Sequence, residues 1–199
     1  MPDWEKLTKN LERHGFAVKR FATGEEAAAY IDSQIDAKTV GMGGSVTLRD
    51  LGLYDRLSAH NTVYWHWSEE GTAALKGAAA AQVYLTSVNG LAETGELINI
   101  DGTGNRVAAT LYNHETVYFV VGVNKIAPDA DAALWRARNI AAPKNAQRLG
   151  VKTPCAVRGD RCYDCRSPER ICGALVRMLY KPKGIAKVEV VLVEEELGY

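Results

Sequence analysis

The chain has 199 residues, 24 Lys and Arg against 24 Asp and Glu, a formal net charge of zero and 47% hydrophobic residues. That length buries a core without cross-links and fits one α/β domain, residues 1–199. Balanced charge supplies no field that would steer the chain to nucleic acid or to an anionic membrane, so neither is expected as a partner.

In chain order, Trp4, Leu7 and Leu11 recur at i, i+3 and i+7 and predict an amphipathic helix over 2–14, ended by Gly15. A short strand is expected over 17–21. Thr23 and Glu26, three apart, make a capping box for a helix reaching residue 36, which completes an N-terminal, mainly helical region over 1–38. Residues 39–42 read as a buried strand, 48–57 as a helix, 62–65 as extended, 69–80 as a helix and 82–86 as extended. The second half continues with an extended segment over 96–100, a helical turn over 105–110 and a strand over 116–121. Helices are expected over 129–140 and over 142–150, the latter starting at Pro143, and a last strand over 186–193. This alternation argues for a mostly parallel sheet with helices on both faces. No internal repeat or low-complexity linker interrupts it.

The longest apolar run, residues 117–123, falls well short of the roughly 18 residues a spanning helix needs. The opening Met1-Pro2-Asp3-Trp4-Glu5 lacks the basic start and apolar stretch of a secretory signal, so a cytoplasmic, reducing location is expected.

Two loops sit where such sheets place ligands. Gly41-Met42-Gly43-Gly44-Ser45-Val46-Thr47 follows a strand and precedes a helix, and Gly41, Gly43, Gly44, Ser45 and Thr47 offer backbone N–H groups and hydroxyls to an anion. A tight turn would use the same residues, and no Gly-Lys-Ser/Thr follows to make a Walker loop. The second loop, residues 86–106, is denser in small and polar side chains. Asn89, Thr94, Gly102, Thr103, Gly104 and Asn105 are candidate ligand contacts there, Glu93 or Asp101 a candidate general base, and Arg106 or Lys125 a candidate stabiliser of developing charge. The plain alternative has Asp101 as a helix cap and Thr94-Gly95 as a hairpin turn. His14, His60, His66 and His114 show no metal spacing, and Trp65 and Trp67, which flank His66, read as core packing, with a ligand wall as the alternative.

All four cysteines fall in one stretch as Cys155, Cys162, Cys165 and Cys172, a C-x6-C-x2-C-x6-C spacing within a cysteine-rich segment over 152–173. In a reducing compartment this pattern serves a metal centre better than disulfides. A zinc ion and a four-iron, four-sulfur cluster both use four thiolates, and spacing leaves the choice between them open, as it does the alternative of four unliganded thiols. Arg158, Arg161, Arg166 and Arg170 stand nearby to offset the negative charge.

At residues 85–97 (Leu-Thr-Ser-Val-Asn-Gly-Leu-Ala-Glu-Thr-Gly-Glu-Leu) and 101–107 (Asp-Gly-Thr-Gly-Asn-Arg-Val) the chain resembles the lactate-utilisation (LUD) domain family. Val121-Gly122-Val123-Asn124-Lys125-Ile126, Lys152-Thr153-Pro154-Cys155, Ser167-Pro168-Glu169-Arg170-Ile171-Cys172 and the ending Glu195-Glu196-Leu197-Gly198-Tyr199 look like standalone members of it. The resemblance implies the α/β fold of sugar-phosphate isomerases and CoA transferases, with the loop over 41–47 matching their phosphate loop. The two loops themselves point to an enzyme or enzyme subunit that binds a small anionic metabolite between them, and the resemblance implies a link to lactate or organic-acid metabolism. The alternative it carries is an iron–sulfur redox partner or sensor that docks on other oxidoreductase subunits; the fold analogy also allows a homodimer. The cysteine spacing departs from the C-x2-C-x2-C-x3-C-P ferredoxin run.

Overall fold

The computed structural model describes residues 1–68 and 72–199. Its centre is a six-stranded, wholly parallel sheet formed by β1 (Ala17–Phe21), β2 (Thr39–Met42), β3 (Thr62–Trp65), β4 (Val83–Thr86), β7 (Thr116–Gly122) and β10 (Lys187–Val193), in the order β1-β10-β7-β4-β2-β3. Apart from Glu189 of β10, which accepts from the Tyr30 hydroxyl at 2.7 Å, the middle strands are largely apolar on both faces because both are covered. From Val117 to Gly122 every residue of β7 is buried, and so is every residue of β10 from Val188 to Val193.

One face packs against α2 (Gly24–Gln34), α3 (Val46–Asp50) and α4 (Leu53–Ser58), where Ala27, Ile31, Leu48, Leu53 and Leu57 meet Val40, Met42, Leu85 and Val120. The other face receives Leu7 and Leu11 of α1 (Trp4–Arg13), Ala78 of α5 (Thr72–Ala80) and Ala109 of α6 (Asn105–Ala109) against Tyr84, Val117, Phe119 and Val121. Burying each of Leu7 and Leu11 is worth about 2 kcal/mol, enough to seat α1, whose Asp3 side chain caps the Lys6 N–H at 3.0 Å. The small residues of α5 allow close contact with the sheet: a Cβ on Gly41 would lie 2.5 Å from the Ala78 carbonyl oxygen.

Most expected elements form where the pattern placed them, and the capping box of Thr23 and Glu26 closes in both directions. Two differences have local causes. The helix expected over 48–57 is two helices, because Gly52 turns left-handed (φ 62°) between them. Of the helix expected over 69–80, residues 72–80 form α5 and residues 69–71 lie outside the described residues. The helices expected over 129–140 and 142–150 form one run, α7 (Ala130–Arg136) joined to α8 (Ala142–Arg148) through a π turn, Ala137–Ala141.

A second sheet of four strands was not expected. Its order is β8-β5-β6-β9, made by β5 (Gly90–Ala92), β6 (Leu97–Asp101), β8 (Ile126–Ala127) and β9 (Ala174–Met178). β5 and β6 form an antiparallel hairpin turning at Gly95 (φ 104°). Ala130, Ala133 and Ala137 of the α7 run cover it, with a Cβ on Gly90 only 2.5 Å from the Ala133 carbonyl oxygen. The cysteine segment consists of the short helix α9 (Pro154–Arg158) and an irregular stretch leading to β9. Among the described residues no helix is long and apolar enough to cross a membrane.

Candidate functional site

A cavity of about 330 Å³ opens at the carboxyl ends of three neighbouring strands, β2, β4 and β7. Each strand end delivers a polar segment: residues 43–45 after β2, 87–89 after β4 and the 3₁₀ turn Val123–Lys125 after β7. The chain leaving β2 runs to the α3 face and the chain leaving β4 to the opposite one, and that divergence opens the crevice where α/β sheets hold ligands.

Lys125 lies at the bottom, 3% exposed, and its ammonium donates to Thr47 Oγ1 at 2.7 Å and Ser87 Oγ at 2.8 Å. Both hydroxyls send their own protons elsewhere, Thr47 to the Leu197 carbonyl (3.3 Å) and Ser87 to the Val120 carbonyl (2.6 Å), so both are fixed as acceptors. Burial, with the charges of Arg136 and Arg106 added, lowers the amine from 10.5 to about 7, while Asp50 opposes the change.

Arg106 is held rather than free. Nη1 donates to Asn99 Oδ1 (2.5 Å) and the Ser87 carbonyl (3.3 Å), and Nη2 to Asn89 Oδ1 (3.1 Å) and the Ile100 carbonyl (2.7 Å). Four of its five N–H donors therefore tie the loop after β4 to β6, and its charge acts on the cavity without a free fork. Arg136 does the same from α7, donating to the Asn124 and Asn89 carbonyls at 2.7 Å each. The far wall carries Arg148, stacked 4.6 Å over the Trp67 ring and bonded through Nε to Asn145 Oδ1 (3.0 Å) and Tyr199 Oη (2.9 Å). His66 also faces the cavity, and burial, aided by Arg148 and opposed by Asp101, lowers its pKa. Among the described residues no carboxylate forms an ion pair with Lys125, Arg106, Arg136 or Arg148.

Of the residues singled out in the sequence, Gly44, Ser45, Thr47, Asn89, Asp101, Gly102, Thr103, Asn105, Arg106 and Lys125 all line this cavity. Asp101 stands at the rim with one oxygen, Oδ2, accepting the Val107 N–H at 3.1 Å, so it caps α6. Gly104 begins α6 in a left-handed conformation (φ 91°) beside the lining. Gly41 lies within β2 beneath α5, and Gly43 sits behind the cavity against Thr86, Tyr84 and Arg106. Glu93 and Thr94 are elsewhere. The Glu93 carboxylate accepts from the Asp3 N–H (3.2 Å) and Lys6 (3.3 Å) at the start of α1, and Thr94 bonds Glu96 in the hairpin turn. Ser87, His66, Arg136, Arg148 and Tyr199 belong to the site without having been singled out for it, and Trp67 lines it as the ligand-wall alternative would have it. Ser87 lies within the polar string over 86–106, and an exposed-looking Arg three residues after Asn145 gives no sign of reaching Trp67.

The four cysteines are free thiols, each partly exposed, and together they line a second cavity of about 170 Å³. Ile100, Ala142 and Ile171 form a wall common to both cavities. Among the described residues no three His, Cys, Asp or Glu side chains converge as one metal ion requires. Arg138 Nη2 approaches Cys162 Sγ at 3.7 Å and Arg170 Nη2 approaches Cys172 Sγ at 3.3 Å. Arg158 and Arg161 turn instead to the Tyr163 ring, at 4.9 and 5.3 Å.

A parallel sheet with its polar crevice at the strand ends defines an α/β protein whose cavity is lined by Lys125, Arg106 and Arg148 beside Asp101. The LUD domain profile matches residues 4–193, and the chain belongs to that lactate-utilisation family. In fold it is similar to a DUF162 family protein from Deinococcus radiodurans whose crystal structure is known: 14% identity, TM-score 0.53, covering 95% of this chain and 94% of that one. No curated protein matches the chain.

Proposed function

We propose that this protein binds a small anionic metabolite, an organic acid or a phosphate-bearing compound, in the cavity at the ends of β2, β4 and β7. The observation that carries the reading is the buried Lys125, held by two hydroxyls and flanked by the charges of Arg106 and Arg136 with no carboxylate paired to any of them among the described residues. Uncompensated buried cations are costly, and an entering anion offsets that cost. A volume of about 330 Å³ suits a molecule of a few to a dozen heavy atoms.

In this reading Lys125 contacts the anion, Arg148 closes on it from the Trp67 side, and Arg106 holds Asn89 and Asn99 in place. An amine near 7 is half neutral at physiological pH, so Lys125, rather than Glu93, is the group able to take up or release a proton as ligand enters or reacts. A place in lactate or organic-acid metabolism accords with the family. Thermal shift and calorimetry with L-lactate, pyruvate, inorganic phosphate, sugar phosphates and a CoA ester test the proposal. At least one is expected to raise the melting temperature of the wild type and to bind more tightly at about pH 6 than at about pH 8.5, with the effect abolished in Lys125→Met. No response from any of them, or unchanged binding in Lys125→Met, overturns it.

A further inference from the structure

We infer that Cys155, Cys162, Cys165 and Cys172 hold a cuboidal iron–sulfur cluster and not a single zinc ion. This rests on the thiol cavity alone and stands or falls apart from the anion pocket. A tetrahedral zinc draws its four sulfurs to about 2.3 Å from one point, and therefore to within about 3.8 Å of each other. All four cysteines line one cavity of about 170 Å³, and among the described residues no three of them meet as one ion needs. A cluster with an iron at each of four corners spreads its thiolates around just such a volume.

The walls suit that occupant. Ile100, Ala142, Ile171 and Leu175 give the cavity apolar lining, and N–H donors reach the sulfurs: Arg138 at Cys162, Arg170 at Cys172 and the Asp164 backbone at Cys162 (3.4 Å). A cluster with four thiolates carries a net negative charge that Arg170 offsets, Arg138 being shared with the Asp164 carboxylate at 3.1 Å, and donors to sulfur hold such clusters in place. Arg170 also clamps the Cys165 and Cys172 carbonyls at 3.1 and 3.2 Å, binding two ligand positions together.

The surrounding chain has little else to hold it. From Val157 to Arg177 not one residue is buried, and residues 159–173 form neither helix nor strand. An ordered stretch of that length without a core of its own is uncommon. Asp164 adopts a left-handed backbone (φ 47°), which folds the C-x2-C turn so that Cys162 and Cys165 face the same cavity.

The test is the full chain produced and purified without oxygen, or reconstituted with ferrous iron, sulfide and thiol reductant, beside Cys165→Ser and Cys172→Ser. The wild type is expected to be brown, to carry about four irons and about four acid-labile sulfides per chain, and to give a paramagnetic signal on reduction with dithionite. Both variants lose most of the iron. Hydrogen exchange of residues 159–173 slows when the cluster is present. Colourless protein with about one zinc per chain that iron and sulfide do not replace, iron retained equally by both variants, or no iron after reconstitution overturns the inference.

Discussion

Removing the charge of Lys125 should make the protein more stable, and the gain should depend on pH. The amine is 3% exposed and lies near 7 instead of 10.5. Between about 7 and 10.5 the unfolded chain keeps a proton that the folded chain has lost, so stability rises with pH across that window and the penalty is full below it. At about 1.4 kcal/mol per tenfold change in proton affinity the penalty is roughly 5 kcal/mol at about pH 6 and roughly 2 kcal/mol at about pH 9. Lys125→Met keeps the apolar stem and forfeits the two bonds to Thr47 and Ser87, about 1 kcal/mol each, while both hydroxyls keep the carbonyls they donate to. The variant is therefore expected to gain about 3 kcal/mol at about pH 6 and almost nothing at about pH 9. Urea denaturation in buffers free of phosphate and carboxylate measures this, since a bound anion would hide it. A variant less stable than the wild type at about pH 6, or a gain that does not change with pH, refutes the reasoning.

Arg106→Lys leaves the charge and removes the planar fork, so most of its four bonds are lost; stability should fall by about 2 kcal/mol and anion affinity about tenfold or more, read by denaturation and calorimetry. Gly41→Ala drives a methyl to 2.5 Å from the Ala78 carbonyl, and overpacking of α5 on β2 should cost about 2 kcal/mol in the denaturation midpoint without any ligand present. His114, stacked on Tyr84 and bonded to the Ala81 carbonyl at 2.6 Å, is buried, and burial lowers its pKa from 6.5. The unfolded chain then binds the proton first as pH falls below 6.5, so stability declines there. His114→Phe should lose about 1 kcal/mol near neutrality and show a flatter decline on acidification, compared by melting curves over that range.

The sheet was readable because strands buried on both faces carry nearly unbroken apolar runs, as 39–42 and 116–122 do, and the edge strand 62–65 keeps the Val and Trp of its buried face. The second sheet was not, since β5 and β8 have three and two residues and β9 alternates exposed and half-buried positions against one neighbour only. Half of the site was visible as a density of small and polar residues after strands, which brought Thr47, Asn89 and Lys125 into view. Glu93 was drawn in by the same density, yet the hairpin at Gly95 turns it toward α1. Arg148 and Tyr199 reach Trp67 only through tertiary packing across long separations, so local pattern gave no notice of either. The cysteine spacing announced a common site, and the cavity that the four cysteines line and the sparse burial around them are what the proposal of a cluster over an ion rests on.

The direct measurement of the pocket's character is the titration of the Lys125 side chain by NMR, with Lys125→Met providing the assignment, in anion-free buffer and again with the tightest-binding anion. The amine should titrate near 7 alone and move upward by one pH unit or more when the anion is bound, an effect of about 1.4 kcal/mol or more. An amine that titrates near 10.5 in both conditions, or that does not move on ligand addition, contradicts a buried cation awaiting an anion.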